Sequence, residues 1–540
     1  MRDRTAPGSG SSNKRAASSE PARGQMPEPV TFAAYMKRAL YGDHDGFYVS
    51  CARPSPQPDF VTAPLVSPLF GVCVAKFVLD CLDRQSPRKA GRALPSSAGK
   101  QAKAASGSPT SARPEPGRPP STRDTFYILE LGGRDPHLAA SLLASLVPDL
   151  QTLDARLQSV CRSNGVDTPV FEEISRMFGI PRSPIRPIQT ALAYIAVDPG
   201  IASESSGDQS IADRPTGDTQ RGGHPFGAPQ EQGALAAATP VLRLQNGADT
   251  PAVSDVSYLR FSALQEARRF VESLADPRGI VIANEVLDNQ PAHLLAKVGG
   301  GNLLELYVST REDGELELRT CPLSEGARRA VRSGAVGRFR PLAALPRELA
   351  GRIEVAVDVL KGRTATGDER SPRYGAEGRT EAQIEVAIAS PAQTDLLEDI
   401  IGFPGCEAFL FFDMSPDAFS TAPIKTYRRH AQGYDPLAAP GDSDICVEVL
   451  WEKLRDRACR AGFVTKLLGQ SEWLAARGLS DAVRALESAL HEPHGTTVRF
   501  PDKWLVFRSL LVGAKALLDP DAFGSFWVLE GSRAEDQDDC

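Results

Sequence analysis

The sequence predicts an α/β fold with a doubly wound, mostly parallel sheet, an antiparallel β-rich subdomain and disordered insertions. Short apolar runs that end in glycine or an acid alternate with helical apolar spacing, and this β-α-β rhythm is typical of a parallel sheet. A second group of apolar runs is separated by a Gly-rich turn, which favours an antiparallel hairpin. Long Ser-, Gly- and Pro-rich stretches interrupt both patterns.

Five strands are predicted for the parallel sheet. The first, Phe126–Gly133, ends in two glycines, and a helix with apolar spacing follows from Leu138 to Val147. The remaining strands are Tyr194–Pro199, Val256–Phe261, Gly279–Ala283 and Cys406–Asp413. The second and fifth runs each carry an acid at or next to their end, Asp198 and Asp413.

The antiparallel subdomain is predicted around residues 292–360. Its hairpin strands are Leu294–Val298 and Leu303–Thr310, on either side of the Gly-rich turn. Glu315–Arg319 follows as a further strand. Beyond the fifth parallel strand we predict additional antiparallel strands, at Ile445–Trp451, Gly462–Leu468 and Gly524–Leu529.

Several segments lack the apolar residues that a folded core requires. They are residues 1–27, 86–123, 200–238 and 361–383. The second of these carries eight basic residues against one acidic residue and no aromatic one, so it cannot bury enough apolar surface to offset its ordering entropy. We therefore predict one domain, residues 28–530, with three disordered surface insertions, a disordered N-terminal segment and a tail at 531–540.

The composition excludes several function classes. The formal net charge of −7 gives no electrostatic footprint for nucleic acid, and no apolar run reaches the roughly 18 residues of a membrane span. The nine cysteines include no Cys-x-x-Cys pair, which argues against a zinc site and against a secreted disulfide scaffold. Of the seven histidines only His491 and His494 lie close together, so no metal site is predicted.

The amino terminus has the composition of a mitochondrial transit peptide. Its first 25 residues contain five basic residues, two acidic ones and many serines. A plain disordered tail is the alternative, because Pro7, Gly8 and Gly10 interrupt an amphipathic helix.

The segment from Asn284 to His293 is the strongest site candidate. After the fourth predicted strand it places two carboxylates, Glu285 and Asp288, together with an amide and an imidazole at the strand's carboxyl end. The alternative is a turn in which Asn284 or Asp288 only caps a helix. A cap needs one such residue whereas four are present, so we favour a site.

The first two strand ends have the chemistry that a nucleoside-containing cofactor requires. Gly132 and Gly133 let the backbone approach a ligand, and Asp198 can accept hydrogen bonds from both ribose hydroxyls. Similar turns also occur in α/β proteins that bind no ligand there. A nicotinamide cofactor is disfavoured, because the first turn lacks the dinucleotide glycine fingerprint.

Motifs spread from about residue 29 to 530 carry a resemblance to a known family. They are Thr31–Met36, Asp45–Tyr48, Asp59–Pro64, Ser67–Gly71, Leu129–Gly132, Thr239–Gln245, Ala283–Pro291, Asp435–Leu437, Pro440–Gly441, Asp444–Ile445 and Phe523–Phe526. In these segments the chain resembles the MidA-like S-adenosyl-L-methionine (SAM)-dependent methyltransferases. The mitochondrial members of that family are protein arginine methyltransferases required for assembly of respiratory complex I.

The resemblance implies a Rossmann-like methyltransferase sheet, SAM as cofactor, and an arginine of a complex I subunit in the mitochondrial matrix as substrate. Glu285 and Asp288 would orient the guanidinium group, with Asn284 and His293 as further orienting groups. The residues implied in cofactor binding are Glu130, Gly132, Gly133, Asp198, Asp59 and Thr62. A purely structural role is the alternative for each of them, and nothing here indicates an oligomeric state.

Several residues depart from the family's pattern. Arg134 and Pro136 stand where a Gly-x-Gly-x-Gly loop is expected, and a Cβ or a missing amide there obstructs close approach of the cofactor. Leu65 replaces an expected glutamate, and Met414–Ser415 replaces an expected Tyr-Gly pair. The alternative function is therefore a catalytically degenerate family member that acts as a non-enzymatic assembly or binding factor.

Overall fold

The structure is a computed structural model, and it describes residues 28–42, 45–50, 61–85, 125–133, 136–146, 153, 155–163, 168–178, 191–197, 256–261, 263–274, 276–299, 301–354, 384–491 and 501–534. The predicted insertions 86–123, 200–238 and 361–383 and the N-terminal segment 1–27 lie outside these ranges. The proposed domain boundaries stay predictions.

The strands within these ranges fall into three sheets. In chain order they are β1 (Val30–Thr31), β2 (Thr125–Leu131), β3 (Ala191–Val197), β4 (Val256–Phe261), β5 (Arg278–Asn284), β6 (His293–Val298), β7 (Asn302–Thr310), β8 (Leu316–Cys321), β9 (Arg340–Pro341), β10 (Ile353–Glu354), β11 (Ile384–Ala389), β12 (Cys406–Asp413), β13 (Ile424–Arg428), β14 (Ala431–Gly433), β15 (Asp444–Val447), β16 (Phe463–Gly469) and β17 (Trp527–Arg533).

The helices within the same ranges alternate with these strands. In chain order they are α1 (Phe32–Tyr41), α2 (Phe47–Ser50), α3 (Ala63–Val66), α4 (Leu69–Gln85), α5 (His137–Leu146), α6 (Ala155–Ser163), α7 (Thr168–Met177), α8 (Leu264–Glu272), α9 (Glu325–Ser333), α10 (Arg347–Ala350), α11 (Pro391–Ile401), α12 (Trp451–Arg460), α13 (Gln470–Ala476), α14 (Leu479–His491) and α15 (Pro501–Leu518).

One seven-stranded sheet contains the strands predicted for the parallel sheet. Its order is β16-β17-β12-β5-β2-β3-β4. Strands β12, β5, β2, β3 and β4 pair in parallel, whereas β17 runs antiparallel to its neighbours β12 and β16. The chain goes from β2 to β3 and β4 on one side and then returns to β5 on the other side of β2. The strand order therefore reverses between β2 and β5.

Both faces of this sheet are buried. In β2, Phe126 and Ile128 belong to one apolar cluster and Tyr127 and Leu129 to another, as the two-residue period of a strand requires. The first cluster includes residues of α4, α5, α13, α14 and α15, and the second includes residues of α8, α11 and α12. Burial of each large apolar side chain contributes about 1.5–3 kcal/mol. Burial on both faces explains why these strands read as continuous apolar runs.

The second sheet is mostly antiparallel and has the order β10-β8-β7-β6-β11-β9, with β1 paired to β7. Its hairpin joins β6 to β7 and pairs Val298 with Asn302. Gly299 and Gly301 take positive φ angles of 28° and 116° in the connecting turn, which explains why glycines occupy it. Strand β6 begins at His293, so this sheet continues directly from the candidate site.

The N-terminal helices lie on the loop that precedes β15. The Tyr35 hydroxyl of α1 donates to the Pro436 carbonyl at 2.7 Å. Gly441 has φ +79°, and a Cβ built on it would lie 2.1 Å from the Asp45 carbonyl oxygen. Only glycine allows this approach. Strand β15 belongs to a third, three-stranded antiparallel sheet with the order β14-β13-β15.

The predicted mixed α/β fold is confirmed, with corrections near the C terminus. The predicted strand at Ile445–Trp451 is wrong beyond Val447, because α12 begins at Trp451 and buries Trp451, Leu454 and Ala458 at helical spacing. The predicted strand at Gly524–Leu529 begins only at Trp527, after a 3₁₀ turn, and it joins the main sheet together with β16. Among the described helices, none is long and apolar enough to cross a membrane.

Candidate active site

Two loops of the predicted site meet where the strand order reverses. Gly132, after β2, has φ +84°, and a Cβ built on it would lie 3.0 Å from Val286 Cγ2 and 3.3 Å from the Asn284 carbonyl oxygen. Both the backbone conformation and the close approach therefore require glycine. The crevice at the carboxyl ends of strands around such a reversal is the usual ligand site of open α/β sheets.

Asp413, the last residue of β12, holds the loop after β5. Its Oδ2 accepts hydrogen bonds from the backbone N–H groups of Val286 at 3.1 Å, Leu287 at 2.8 Å and Asp288 at 3.4 Å. Its Oδ1 accepts another from Met414 N at 2.7 Å. Burial raises the pKa of Asp413 to about 6, although these donors favour the ionised form.

Glu285 is the first residue after β5 and has a left-handed backbone, with φ +54°. For a residue other than glycine this conformation costs on the order of 1 kcal/mol. The Asn284 side-chain amide donates to Glu285 Oε1 at 3.2 Å, and the backbone N–H of Ala63 hydrogen bonds to the same carboxyl group. Desolvation, followed by the charge of Asp413, raises the pKa of Glu285 to about 8. Such a group can exchange a proton near neutral pH.

Asp288 lies deeper in the same loop, with a fractional exposure of 4%. Burial, and then the charges of Asp413 and Asp444, raise its pKa well above the ordinary value. The Cys446 thiol donates to Asp444 Oδ2 at 3.3 Å, and the charge of Asp288 acts on the same thiol. Burial also raises the pKa of Asp444, to about 6. These carboxyl groups therefore influence one another's protonation.

Asn289 connects the loop to the N-terminal helices and to β15. Its Nδ2 donates to Asp444 Oδ1 at 3.0 Å. The Tyr48 hydroxyl lies 2.8 Å from Asn289 Oδ1 and 3.1 Å from Asp444 Oδ1. The Tyr41 hydroxyl donates to the Asn289 carbonyl at 3.3 Å, and the two tyrosine rings stack with centroids 5.4 Å apart. The α1–α2 segment therefore forms one wall of the site.

Three acceptor atoms on this loop are buried without a hydrogen-bond donor. They are Asn284 Oδ1, Asp288 Oδ1 and Gln290 Oε1, three of the five such side-chain atoms among the residues that the structure describes. Leaving a buried polar atom unpaired costs about 1–3 kcal/mol. A ligand with several N–H donors would pair them. In the described part of the chain, no group of three or more His, Cys, Asp or Glu could hold a metal ion.

Glu130 and Gly133 occupy the same strand end as Gly132. Glu130 is buried, and its Oε2 accepts a hydrogen bond from the Tyr194 hydroxyl at 2.6 Å. A Cβ on Gly133 would lie 2.9 Å from Glu130 Oε2 and 3.0 Å from Ala196 Cβ. The glycine turn is therefore closely packed on the carboxyl ends of β2 and β3.

The segment that begins at Thr62 also contacts the loop. Thr62 precedes α3 without capping it through its side chain, and the next residue, Ala63, supplies the N–H group that reaches Glu285. Thr62 therefore lies near the loop after β5, residues 285–292, which we call the acidic loop. A role of Thr62 in cofactor binding stays a prediction. Three further residues discussed for the site, Asp59, Asp198 and Arg134, lie outside the described residues.

His293 contacts a different set of residues. Its Nδ1 lies 2.6 Å from Glu305 Oε1, and the other Glu305 oxygen accepts a hydrogen bond from Ser324 N at 2.7 Å. A Cβ on Gly326 would lie 2.5 Å from His293 Nε2. These contacts belong to the packing of α9 against the second sheet. A role of His293 in orienting a substrate stays a prediction.

Sequence reasoning assigned no role to Asp413, Asn289, Tyr48 or Asp444. Asp413 is an acid at the end of a buried strand, and this pattern indicates a site residue once β12 is known to pair with β5. Tyr48 is separated from Asn289 by 241 positions and from Asp444 by 396, so no local pattern could have joined them.

Part of the chain matches a known enzyme family. Residues 243–468 match a family described as "Putative S-adenosyl-L-methionine-dependent methyltransferase". The matched range contains β5, the acidic loop and β12, and it ends before β17. The family description names a methyltransferase as the class of enzyme and SAM as its cofactor. No curated protein matches the chain.

Two similar crystal structures come from Burkholderia thailandensis. One is a COG1565 superfamily member bound to S-adenosyl-homocysteine, with 17% identity, a TM-score of 0.46, and coverage of 94% of this chain and 88% of that one. The other is an uncharacterized protein of the same superfamily, with 19% identity, a TM-score of 0.45, and coverage of 94% and 87%.

Proposed function

We propose that this protein is a SAM-dependent methyltransferase that modifies an arginine of a respiratory complex I subunit in the mitochondrial matrix. The observation that carries the proposal is the contact between the glycine turn after β2 and the acidic loop after β5, where three buried acceptors have no donor among the described residues. The family match of residues 243–468 supports the reaction class and the cofactor. The sequence resemblance supports the arginine substrate, complex I and the compartment.

The cofactor is proposed to lie in the crevice between β2 and β5 of a doubly wound, Rossmann-like sheet. Gly132 turns the chain with φ +84° and leaves the backbone of the turn open to a ligand. Gly132, Gly133 and Glu130 would hold SAM at this edge, with Asp198 on the ribose. SAM supplies an electrophilic methyl group on a sulfonium sulfur. The residues of this turn fit a nucleoside-containing group.

The acidic loop fits a guanidinium group better than an ammonium group. A guanidinium carries five N–H donors and no acceptor, whereas an ammonium carries three donors. The unpaired oxygens of Asn284, Asp288 and Gln290 require several donors in one place. A guanidinium is planar and has donors along two edges, so it can bind more of these oxygens at once than an ammonium can.

The protein's own side chains would position the substrate nitrogen and take up its proton. A guanidinium is a poor nucleophile because its charge is delocalised, and carboxylates along one edge hold that charge away from the reacting nitrogen. As this nitrogen gains a methyl group it must lose a proton. Glu285, whose pKa is raised to about 8 by desolvation and Asp413, accepts that proton in its ionised form. The remaining contribution is alignment of the two reacting groups.

A non-enzymatic assembly or binding factor is the second candidate function, and Pro136 favours it. Pro136 has no amide N–H at a position where the family's loop has a glycine. Its carbonyl accepts a hydrogen bond from Ala140 N at 2.8 Å, so it begins the first turn of α5. Helix α5 therefore starts with one amide donor fewer for a ligand.

Titration calorimetry of the full-length protein with SAM and with S-adenosyl-homocysteine tests the cofactor site. We expect both to bind. Gly132→Ala should weaken binding by about tenfold or more, or roughly 1.4 kcal/mol, because its Cβ would press on Val286 and shift the acidic loop.

Gly314→Ala is the matched control. Gly314 has φ +86°, and a Cβ there meets nothing within 4 Å, so this variant introduces the same backbone strain without that contact. Its affinity for SAM should equal that of the native protein. A folded native protein that binds neither compound would contradict the proposal and favour the non-enzymatic factor.

A further inference from the structure

Four carboxyl groups meet at the proposed active site, and no described lysine, arginine or histidine forms an ion pair with them. Glu285 and Asp288 come from the loop after β5, Asp413 from β12 and Asp444 from β15. Among the residues that the structure describes, none of the four lies within 4.0 Å of a Lys, Arg or His nitrogen in an ion pair. Burying several like charges together is unfavourable unless some of the groups hold protons.

The surroundings of Asp288 favour its protonated form. Burial first, and then Asp413, Asp444 and the nearby Glu285, hold its pKa well above the ordinary value. The other groups acting on this cluster are the hydroxyls of Tyr41 on α1, Tyr48 on α2 and Tyr427 on β13, and the thiol of Cys446 on β15. These hydroxyls and the thiol are neutral, because burial raises the pKa of each one further.

A lysine lies beside the cluster but is engaged elsewhere. The Lys425 ammonium group lies opposite Cys446 in the β13–β15 pair and interacts with it electrostatically. Its Nζ donates to Gln432 Oε1 at 3.1 Å. Asp288 Oδ1, by contrast, is buried with no donor among the described residues. The unpaired oxygen and the surplus of acids both indicate that a positively charged donor belongs there.

We infer that a cationic substrate group binds this cluster in exchange for a proton, which leaves the Asp288 carboxyl group for bulk solvent. The inference rests on the proposed function for the position of the substrate. The O–H bond of the carboxyl group breaks, its electron pair stays on the carboxylate, and the guanidinium keeps its own charge. The net charge of the site is therefore the same before and after binding.

Calorimetry with N-acetyl-arginine methylamide tests this exchange. The full-length protein is titrated in buffers of equal pH and ionic strength but different heats of ionisation. We expect the observed heat to change with the buffer in the sense of proton release. The affinity should rise with pH, by up to about tenfold per pH unit, over the range in which the Asp288 carboxyl group holds its proton in the free protein. N-acetyl-citrulline methylamide, a neutral probe of the same shape, should show neither effect.

Variants separate the Asp288 carboxyl group from the rest of the cluster. Asp288→Asn keeps the size of the side chain but cannot ionise, so proton release and the pH dependence should both fall to the part that Glu285 contributes. Asp288→Glu, which restores an ionisable group, should recover them at least in part. Asp417→Asn is the control, because Asp417 is an exposed acid on the nearby 3₁₀ turn Pro416–Phe419. Melting curves establish that each variant is folded.

Several results would overturn the inference. They are heats that do not depend on the buffer, a pH dependence that is as steep in Asp288→Asn as in the native protein, and no binding of the arginine probe at any pH. The first two leave methyl transfer intact and so do not bear on the proposed function. Proton-linked binding without any methyl transfer would support the inference and contradict the proposed function instead.

Discussion

At the scale of single residues, Asp413 fixes the geometry of the acidic loop. Three consecutive backbone N–H groups, from Val286 to Asp288, point at one of its carboxylate oxygens. Each hydrogen bond to a charged group contributes about 1.5–3 kcal/mol. Together they offset the roughly 1–3 kcal/mol cost of the left-handed backbone at Glu285. The strained residue that we place at the centre of the chemistry is thus held by a buried neighbour.

Replacing Asp413 by asparagine should destabilise the protein by roughly 2 kcal/mol or more. The asparagine amide carries no negative charge. Its –NH₂ group replaces one of the two oxygens and cannot accept a hydrogen bond from a backbone N–H group. The midpoint of urea unfolding measures the effect. Asp417→Asn, an exposed acid four residues further along, should change the midpoint little. Equal midpoints for the two variants would show that Asp413 does not hold the loop.

At the scale of elements, helices α1 and α2 complete a site built mainly by the mostly parallel sheet and by β15 of the three-stranded sheet. Their contribution passes through Asn289, which binds Tyr48 through its side chain and Tyr41 through its carbonyl. Asp444 on β15 joins the same network. Three separate parts of the chain therefore have to be assembled before the acidic loop is enclosed.

Tyr48→Phe should lower stability by about 1–3 kcal/mol, because it removes the one hydroxyl proton that lies between Asn289 Oδ1 and Asp444 Oδ1. Tyr41→Phe is the matched control. It removes a longer hydrogen bond, of 3.3 Å, from the same network and also preserves the stacked rings. Chemical unfolding should give the larger loss for Tyr48→Phe. A reversed order would contradict the network described here.

The elements also show which features of the fold can be predicted from the sequence. Strands buried on both faces, such as β5 and β12, have continuous apolar runs and are predicted closely. The segment after Val447 is apolar too, but Trp451, Leu454 and Ala458 follow helical spacing, so a run judged by hydrophobicity alone gives the wrong element. The carboxyl-end position of Glu285 and Asp288 is predictable from the strand before them. The contact between Tyr48 and Asn289 depends on the tertiary fold and therefore cannot be predicted from a local sequence pattern.

At the scale of the whole molecule, the buried acids make stability depend on pH. The folded-state pKa values are raised to about 6 for Asp413 and Asp444 and to about 8 for Glu285, above their ordinary values of 3.8 and 4.5. A raised carboxyl pKa means that the folded state binds more protons than the unfolded state in the interval between the two values. The stability that these groups contribute is present at low pH and is lost as pH rises.

The melting temperature should therefore fall between about pH 5 and about pH 8. Differential scanning calorimetry across this range measures the change. Glu285→Gln should make the melting temperature fall less in the upper part of this pH range, because the amide does not ionise. A melting temperature that rises steadily over this range would contradict the protonation states assigned to the acidic loop.

The central claim, methyl transfer to an arginine at the acidic loop, is tested most directly by mass spectrometry. The full-length protein is incubated with methyl-labelled SAM and complex I subunits, and labelled methylarginine is quantified. We predict labelled arginine with the native protein and with Glu312→Gln, an exposed control. Loss of the proton acceptor in Glu285→Gln should reduce the label by about a hundredfold or more. No labelled arginine from a native protein that binds SAM, or equal labelling by Glu285→Gln, would contradict the account.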